Sequence, residues 1–309
     1  MEEIMKVAFL FAGQGSHYVG MGSDLYEAYP CCKKIYDDMY LAFDVKDICF
    51  HGPLETLNNT KYAQSCILTT SLAIAQVVKE MGIEPSYVAG LSLGEYSALS
   101  FSGVFTYQDA GQIVEKRGQI MADALPKGFS GMAAVLGMSK EEIQEVLQSI
   151  SSSVCIANYN CPNQIVISGK MNDLQIVMEA LKEKGCRRII PLQVSGAFHS
   201  PLLNDASKQL MNVLKEYELR PSRIPVVYNV SGQVENRDIR QILSEQIKSS
   251  VLFEQSIHFM INQGVDTFIE IGPGKTLSGF VKKISKDVKV YSVNDCKSVE
   301  VLRKELVHA

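Results

Sequence analysis

No stretch of this sequence stays apolar for the roughly 18 residues that a membrane-spanning helix needs. The opening residues Met1-Glu2-Glu3 are acidic, and Lys6 breaks the apolar run that ends at Phe11. A secretory signal has the opposite charge and a longer core, so none is expected and the cytoplasm is the expected location. Positive charge is not concentrated either. A net charge of −4 argues against bulk electrostatic attachment to nucleic acid. The eight cysteines form no CxxC pair and no zinc-like pairing with histidine, so no metal is expected. Adjacent Cys31 and Cys32 can hardly share an ordinary disulfide, and scattered reduced thiols fit an intracellular protein. There are no internal repeats and no low-complexity segments. What remains is ordinary globular composition, 46% hydrophobic and 21% charged over 309 residues. Such a chain can bury a full core as one large domain, with room for a smaller insertion.

Val7-Ala8-Phe9-Leu10-Phe11 reads as a buried strand running into the tight turn Gly13-Gln14-Gly15. Residues 65–81 are apolar on nearly every face and stop at Gly82, as a buried helix would. Tyr87-Val88-Ala89 is a short strand, then comes Gly90-Leu91-Ser92-Leu93-Gly94 and a helix from Glu95. This alternation predicts an α/β fold with a mainly parallel sheet. From 131 to 194 the rhythm changes. A strand over Met132–Met138 leads to a helix capped by Ser139, with Glu142 completing a capping box. Strands follow over Val154–Asn158 and Gln164–Ser168, joined by the turn Asn160-Cys161-Pro162-Asn163. A helix over 171–184 closes at Gly185, and a last strand covers Arg188–Val194. The order βαββαβ is the ferredoxin-like unit. The expected plan is a discontinuous large domain, 1–127 and 196–309, with an inserted small domain at 128–195.

The Gly-x-Ser-x-Gly at 90–94 lies between a predicted strand and a predicted helix. A serine on such a turn is pushed out of the sheet, and the glycines permit the tight backbone. The helix start offers free N–H groups and a positive dipole to an oxyanion. Read blandly, the same residues are a helix-start turn with a capping serine. A nucleophilic serine needs a base. Of the five histidines, His308 sits beside the terminus, His258 lies among apolar residues and His51 precedes Gly52-Pro53 in a loop. His17 follows the first glycine turn. His199, in Gly196-Ala197-Phe198-His199-Ser200-Pro201, falls where the chain re-enters the large domain, and an interdomain crevice is a usual ligand site.

A helix beginning at Thr106 carries Ala110, Ile113, Val114, Ile120, Met121, Ala124 and Leu125 on its apolar stripe. Arg117 is three residues from Val114 and Ile120 and four from Ile113 and Met121, so it falls inside that stripe. A buried guanidinium requires a fixed anionic partner, either a structural ion pair or a ligand. Gly272-Pro273-Gly274-Lys275-Thr276 after the strand Thr267–Ile271 is not a Walker A loop, because Ile269 stands where glycine is needed. A tight strand-to-helix turn explains it. Lys182, Lys184, Arg187 and Arg188 form one basic cluster, and Lys275, Lys282, Lys283 and Lys286 a second; most such runs are solvated faces.

Five segments occur in order: Phe11-Ala12-Gly13-Gln14-Gly15-Ser16, Gly90 to Ala98, Val114-Glu115-Lys116-Arg117-Gly118, Gly196-Ala197-Phe198-His199-Ser200 and Glu270-Ile271-Gly272-Pro273-Gly274. Together they resemble the malonyl-CoA:acyl carrier protein transacylase family of fatty-acid synthesis, over nearly the whole chain. The resemblance implies an α/β-hydrolase-like large domain with a ferredoxin-like insertion. It implies transfer of a malonyl group from malonyl-CoA to acyl carrier protein, through an ester on Ser92 with His199 as base. It also implies oxyanion donors at the backbone N–H groups of Gln14 and Leu93, and Arg117 as a fork for the malonyl carboxylate. A backbone carbonyl from the segment Ser249-Ser250-Val251-Leu252 would orient the histidine, with Leu252 the assigned donor of that carbonyl. No bound cofactor or metal is implied, and a monomer is expected. Acidic carrier proteins could use either basic cluster for docking.

Two positions depart from the family pattern: Leu91 stands where histidine is usual, and His17 where glutamine is. Phe198 precedes the base and follows the malonyl-selective pattern, so its ring should wall the acyl pocket. Three other readings remain: an acyltransferase of a polyketide assembly line, a serine thioesterase or hydrolase, and a catalytically silent docking protein. The hydrolase has no need of a carboxylate clamp, and the docking protein has no need of Ser92, His199 and Arg117 together.

Overall fold

A computed structural model describes residues 5–306; the opening Met1-Glu2-Glu3 and His308 lie outside them. Nine strands fall into two separate sheets among these residues. The first comprises β1 (Val7–Phe11), β2 (Tyr87–Gly90), β7 (Val226–Val227), β8 (Thr267–Ile271) and β9 (Lys289–Val293). Its order is β7-β2-β1-β8-β9, with every pairing parallel. The second comprises β3 (Ser130–Leu136), β4 (Cys155–Cys161), β5 (Gln164–Lys170) and β6 (Arg188–Pro191), antiparallel throughout in the order β4-β5-β3-β6. The fold is therefore α/β, with a parallel sheet and a separate antiparallel one.

β1 is buried along its whole length, because the parallel sheet is covered on both faces. Val7, Phe9 and Phe11 point into one core with Leu68, Leu72 and Val114. Ala8 and Leu10 point into the other with Phe253, Ile257, Leu277 and Val281. A strand buried on both faces reads as a continuous apolar run, which is why its sequence does not alternate. The helix Thr60–Glu80 crosses the first core and has 16 buried positions, so it is covered nearly all round. Its buried Thr69 and Thr70 hydroxyls donate back to the Ser65 and Cys66 carbonyls at 2.8 Å each.

The antiparallel sheet buries Ala133, Val135, Ile165 and Ile167 under the helices Lys140–Ser149 and Met171–Glu183. Its other face presents Met132, Ala157 and Val166 to the first core. The edge strand β4 also bonds to the segment that follows residue 246. Val251 N–H donates to the Ala157 carbonyl at 2.8 Å, and Tyr159 N–H to that of Val251 at 2.9 Å. The antiparallel sheet is thus tied to the rest of the chain by packing against the first core and by backbone bonds to Val251, beside the histidine segment.

Several local expectations shift. The buried helix starts at Thr60, capped by the Asn59 side chain, rather than at 65. The hairpin turn is tighter than the four residues read from sequence. β4 runs through Cys161 and only Pro162 and Asn163 turn, Asn163 with φ 59°. The last strand of the small sheet ends at Pro191 instead of Val194. His51 closes the helix Val45–His51 and is not in a loop.

Candidate active site

The turn after β2 leaves no room for side chains at its glycines. A Cβ on Gly90 would lie 2.0 Å from the Gly94 carbonyl carbon, and one on Gly94 would lie 2.1 Å from the Phe11 carbonyl oxygen. The glycine turn after β1 also presses too close for a side chain, since a Cβ on Gly13 would meet the Leu91 carbonyl oxygen at 2.5 Å. The Gln14 segment is thereby held against the Ser92 turn. Ser92 has φ 53° and His199 φ 57°. Of the described non-glycine residues only these two and Asn163 have positive φ. Left-handed backbone costs a non-glycine residue on the order of 1–3 kcal/mol and persists where the surroundings over-determine it.

These two strained residues meet. Ser92 Oγ lies 2.8 Å from His199 Nε2. On the other side of the ring, Nδ1 faces the carbonyl oxygens of Gln246 at 2.9 Å and Ser249 at 3.2 Å. Carbonyls only accept, so Nδ1 carries the proton and Nε2 presents a lone pair to the serine hydroxyl. Leu252, expected to supply the orienting carbonyl, does not contact the imidazole. The Leu252 carbonyl accepts the backbone N–H and hydroxyl of Ser256, each at 2.9 Å, in the first turn of the helix Phe253–Asn262. His199 is 4% exposed. Burial and then the nearby Arg117 charge push its pKa down to about 4, against the carbonyl bonds that raise it. At neutral pH the imidazole is uncharged and can take a proton.

Neither the Gln14 nor the Leu93 backbone N–H donates to another group among the described residues. Leu93 opens the helix Gly94–Phe101, where free N–H groups and the helix dipole favour negative charge. The Gln14 side chain is tied to Thr60 Oγ1 at 3.1 Å. His17 bonds Asn58 Oδ1 at 3.0 Å and accepts the Gly15 N–H at 3.4 Å, which fixes the glycine turn. Leu91 helps line a cavity of about 100 Å³ with Gly13, Gln14 and Leu277.

Arg117 lies on the helix Tyr107–Asp123 and is 1% exposed. Its guanidinium donates to Gln64 Oε1 at 2.6 Å, Gln246 Oε1 at 3.0 Å and Ser92 Oγ at 3.1 Å. It also stacks over Tyr96, 5.1 Å from the ring centroid. Among the described residues no carboxylate comes within 4.0 Å of it, so the structural ion pair is absent. Two neutral amides stand where a structural ion pair would have placed a carboxylate, leaving a net positive charge buried beside the serine. Glu95 is buried nearby, and burial lifts its carboxyl to about 8 against the pull of Arg117.

Gln64 and Gln246 escaped the sequence reading. Gln246 is bonded three ways: its carbonyl to His199, its Oε1 to Arg117, and its Nε2 to the Ser92 carbonyl at 2.9 Å. Nothing about a single glutamine in a helix marks such a role. Phe198 is buried next to His199. His258 is about half exposed, with Glu254 4.0 Å away, and makes none of the contacts above.

A serine hydroxyl against a neutral imidazole, beside free N–H groups, can form an ester and release it again. The buried cation next to that ester suits an acyl group ending in an anion. The comparisons with known proteins agree with this class. Residues 8–308 match the model of the acyl transferase domain. A malonyl CoA-acyl carrier protein transacylase of Bacillus subtilis is 45% identical over 303 residues, covering 96% of each chain. A solved transacylase of that name from Clostridium perfringens is 42% identical, with a TM-score of 0.95 over 98% of each chain. A malonyl-transacylase solved in complex with its type II PKS acyl-carrier protein is 34% identical, with a TM-score of 0.94 over 97% of this chain and 99% of that one. The chain belongs to the malonyl-CoA:acyl carrier protein transacylase family.

Proposed function

We propose that the protein transfers a malonyl group from malonyl-CoA to the phosphopantetheine thiol of acyl carrier protein, supplying fatty-acid synthesis. Ser92 Oγ attacks the thioester carbonyl and its proton passes to His199 Nε2. The Gln14 and Leu93 N–H groups stabilise the tetrahedral oxyanion. As the C–S bond breaks, the proton on His199 goes to the departing coenzyme A sulfur, leaving a malonyl ester on Ser92. The carrier thiol then attacks that ester, gives its proton to His199, and the proton returns to Ser92 as the ester breaks. Gln246 and Ser249 carbonyls hold the imidazole in the required tautomer throughout. Arg117 grips the free carboxylate of the malonyl group, for which a planar fork is suited. Phe198 walls the pocket beside carbon 2. No bound metal or organic cofactor takes part.

One observation carries this reading. Ser92 Oγ sits between a neutral histidine at 2.8 Å and a buried guanidinium at 3.1 Å that no carboxylate neutralises among the described residues. A plain hydrolase has no use for the second contact. The names of the relatives support malonyl-CoA and carrier protein as the two substrates. Among the described residues no helix is long and apolar enough to cross a membrane; the cytoplasm is the proposed location. The strand order β4-β5-β3-β6 with two helices over one face supports a ferredoxin-like small domain at 128–195. The parallel sheet and its serine turn support a hydrolase-like large domain, 1–127 with 196–309.

Intact-mass spectrometry after mixing with malonyl-CoA tests the proposal. The wild type should gain one malonyl group on Ser92, and Ser92→Ala none. The adduct should disappear when carrier protein bearing phosphopantetheine is added. Malonyl on another residue refutes the nucleophile, and free malonate released at the same rate without carrier makes the protein a hydrolase.

A further inference from the structure

Resting on that reading of Ser92, we infer that Asn229 is a positioning residue that holds the nucleophile in its strained turn. Asn229 lies two residues beyond β7, in a turn, and is 1% exposed. β7 is the parallel neighbour of β2, with Val227 opposite Ala89. Two residues past that pair stand Asn229 on one strand and Leu91 on the other, where the backbones no longer run together. The Asn229 side chain takes over the pairing. Its Nδ2 donates to the Gly90 carbonyl at 2.7 Å, and its Oδ1 accepts the Ser92 N–H at 2.7 Å. Donating to residue 90 and accepting from residue 92 is one step of a parallel ladder, flanking Leu91, made by a side chain instead of a backbone.

This explains how the turn keeps its shape. A serine at φ 53° would relax toward ordinary backbone unless its amide and the Gly90 carbonyl were both held. The brace is itself fixed. Asn229 N–H donates to Glu95 Oε2 at 2.5 Å, and its carbonyl accepts the Leu252 N–H at 2.8 Å. All four polar groups of the residue are therefore used, two on the turn and two on the frame. The bond also occupies the serine's own N–H, which leaves Leu93 and Gln14 as the donors for an oxyanion. Only an uncharged side chain of this length with both a donor and an acceptor can make the step. An ionised aspartate would face the Gly90 carbonyl with a second oxygen and repel it.

The test uses Asn229→Ala and Asn229→Asp in the full chain, with two readouts. One is labelling of Ser92 by a fluorophosphonate, which needs a poised serine but no carboxylate clamp. The other is the steady-state transfer of malonyl. The alanine variant should lose roughly 10- to 100-fold in labelling rate and in kcat, with KM for malonyl-CoA within about twofold. The aspartate variant should be comparably slow at pH 8 and recover relative to wild type as pH falls to about 5.5, when a protonated carboxyl can donate to Gly90. A folded alanine variant that labels at the wild-type rate overturns the inference. So does an aspartate variant whose ratio to wild type is flat with pH, and that arm decides the matter if the alanine chain does not fold. Wild-type protein that fails to label at Ser92 instead overturns the nucleophile assignment on which the inference rests.

Discussion

Arg117→Ala tests the most costly feature of the site. The guanidinium is fully buried with only amide oxygens, a hydroxyl and a ring around it. In the proposed reaction the malonyl carboxylate becomes its charge partner. Removing one member of a buried, hydrogen-bonded charge pair costs about 2–5 kcal/mol. At about 1.4 kcal/mol per factor of ten, malonyl transfer should fall roughly 30- to 4000-fold in kcat/KM. Acetyl transfer should behave differently, because acetyl leaves the guanidinium unpaired in the wild type. The variant relieves that penalty, so acetyl transfer should hold or rise. Folding is pulled in two directions. The Gln64 and Gln246 oxygens lose a donor, at about 1–3 kcal/mol each, while an uncompensated buried charge is removed. The assay is separate kinetics with malonyl-CoA and acetyl-CoA, with thermal melting to confirm that the variant is folded. Equal losses for the two esters in a folded variant would refute the clamp and make Arg117 structural.

The acid limb of kcat/KM reports the free base, so activity should stay level down to near pH 5 and fall as His199 gains a proton at about 4. In Arg117→Ala assayed with acetyl-CoA the limb should move up in pH, since the positive neighbour that lowers the histidine is gone; an unmoved limb contradicts the coupling. Glu95→Gln addresses stability. The Glu95 carboxyl titrates at about 8 in the folded chain, raised first by burial and further by Glu235, and lowered by the Asn229 N–H, Arg117 and Gln246. A raised pKa means the wild type loses stability as pH rises from about 4.5 to about 8, so the neutral variant should gain relative melting temperature across that window and no more above it. A constant difference between pH 5 and 9 would contradict the burial argument. Phe198→Ser should raise methylmalonyl relative to malonyl transfer roughly tenfold in competition, as one methyl group is worth only about 1–3 kcal/mol of discrimination; an unchanged ratio means the ring does not wall the pocket.

What could be read from the chain was whatever depends on local pattern. β1 and β8 fall on the residues expected of buried apolar runs, and the capping box from Ser139 to Glu142 is formed. The Ser92 turn was legible because its glycines are forced by close backbone contacts, and Arg117 because a cation inside an apolar stripe breaks the helix pattern. The two-residue β7 and the half-exposed β9 carry too little pattern to be seen. The histidine's orienting carbonyls were expected from residues 249–252, and one of them, Ser249, does come from there. Leu252 fails because its carbonyl is taken by the next helix, and Gln246 contributes through the end of the preceding one, Ile239–Gln246. A backbone contact depends on where a helix stops, which side-chain identity does not record. Gln64, Gln246 and Asn229 were invisible for a related reason: an amide is unremarkable until the fold shows what it faces.

Those amides also explain how a buried charge can be both tolerated and useful. Had residues 64 and 246 been glutamates, either would bring a carboxylate to about the present distances of 2.6 and 3.0 Å from the guanidinium. The pair would be self-satisfied, and a malonyl carboxylate would have to displace it. Glutamine supplies a dipole of the right direction and no net charge. It aims the fork, satisfies part of its hydrogen-bonding capacity and leaves the Coulombic attraction for an incoming anion. Tyr96 adds the attraction of its ring face in the same way, without neutralising the cation. Nearby Glu95 does not spoil this, because burial keeps its carboxyl largely protonated at neutral pH. The remaining positive charge depresses the histidine that must stay neutral to accept the serine proton. In the proposed reaction one cation thus both selects the acyl group and sets the state of the base, provided every side chain that touches it is uncharged.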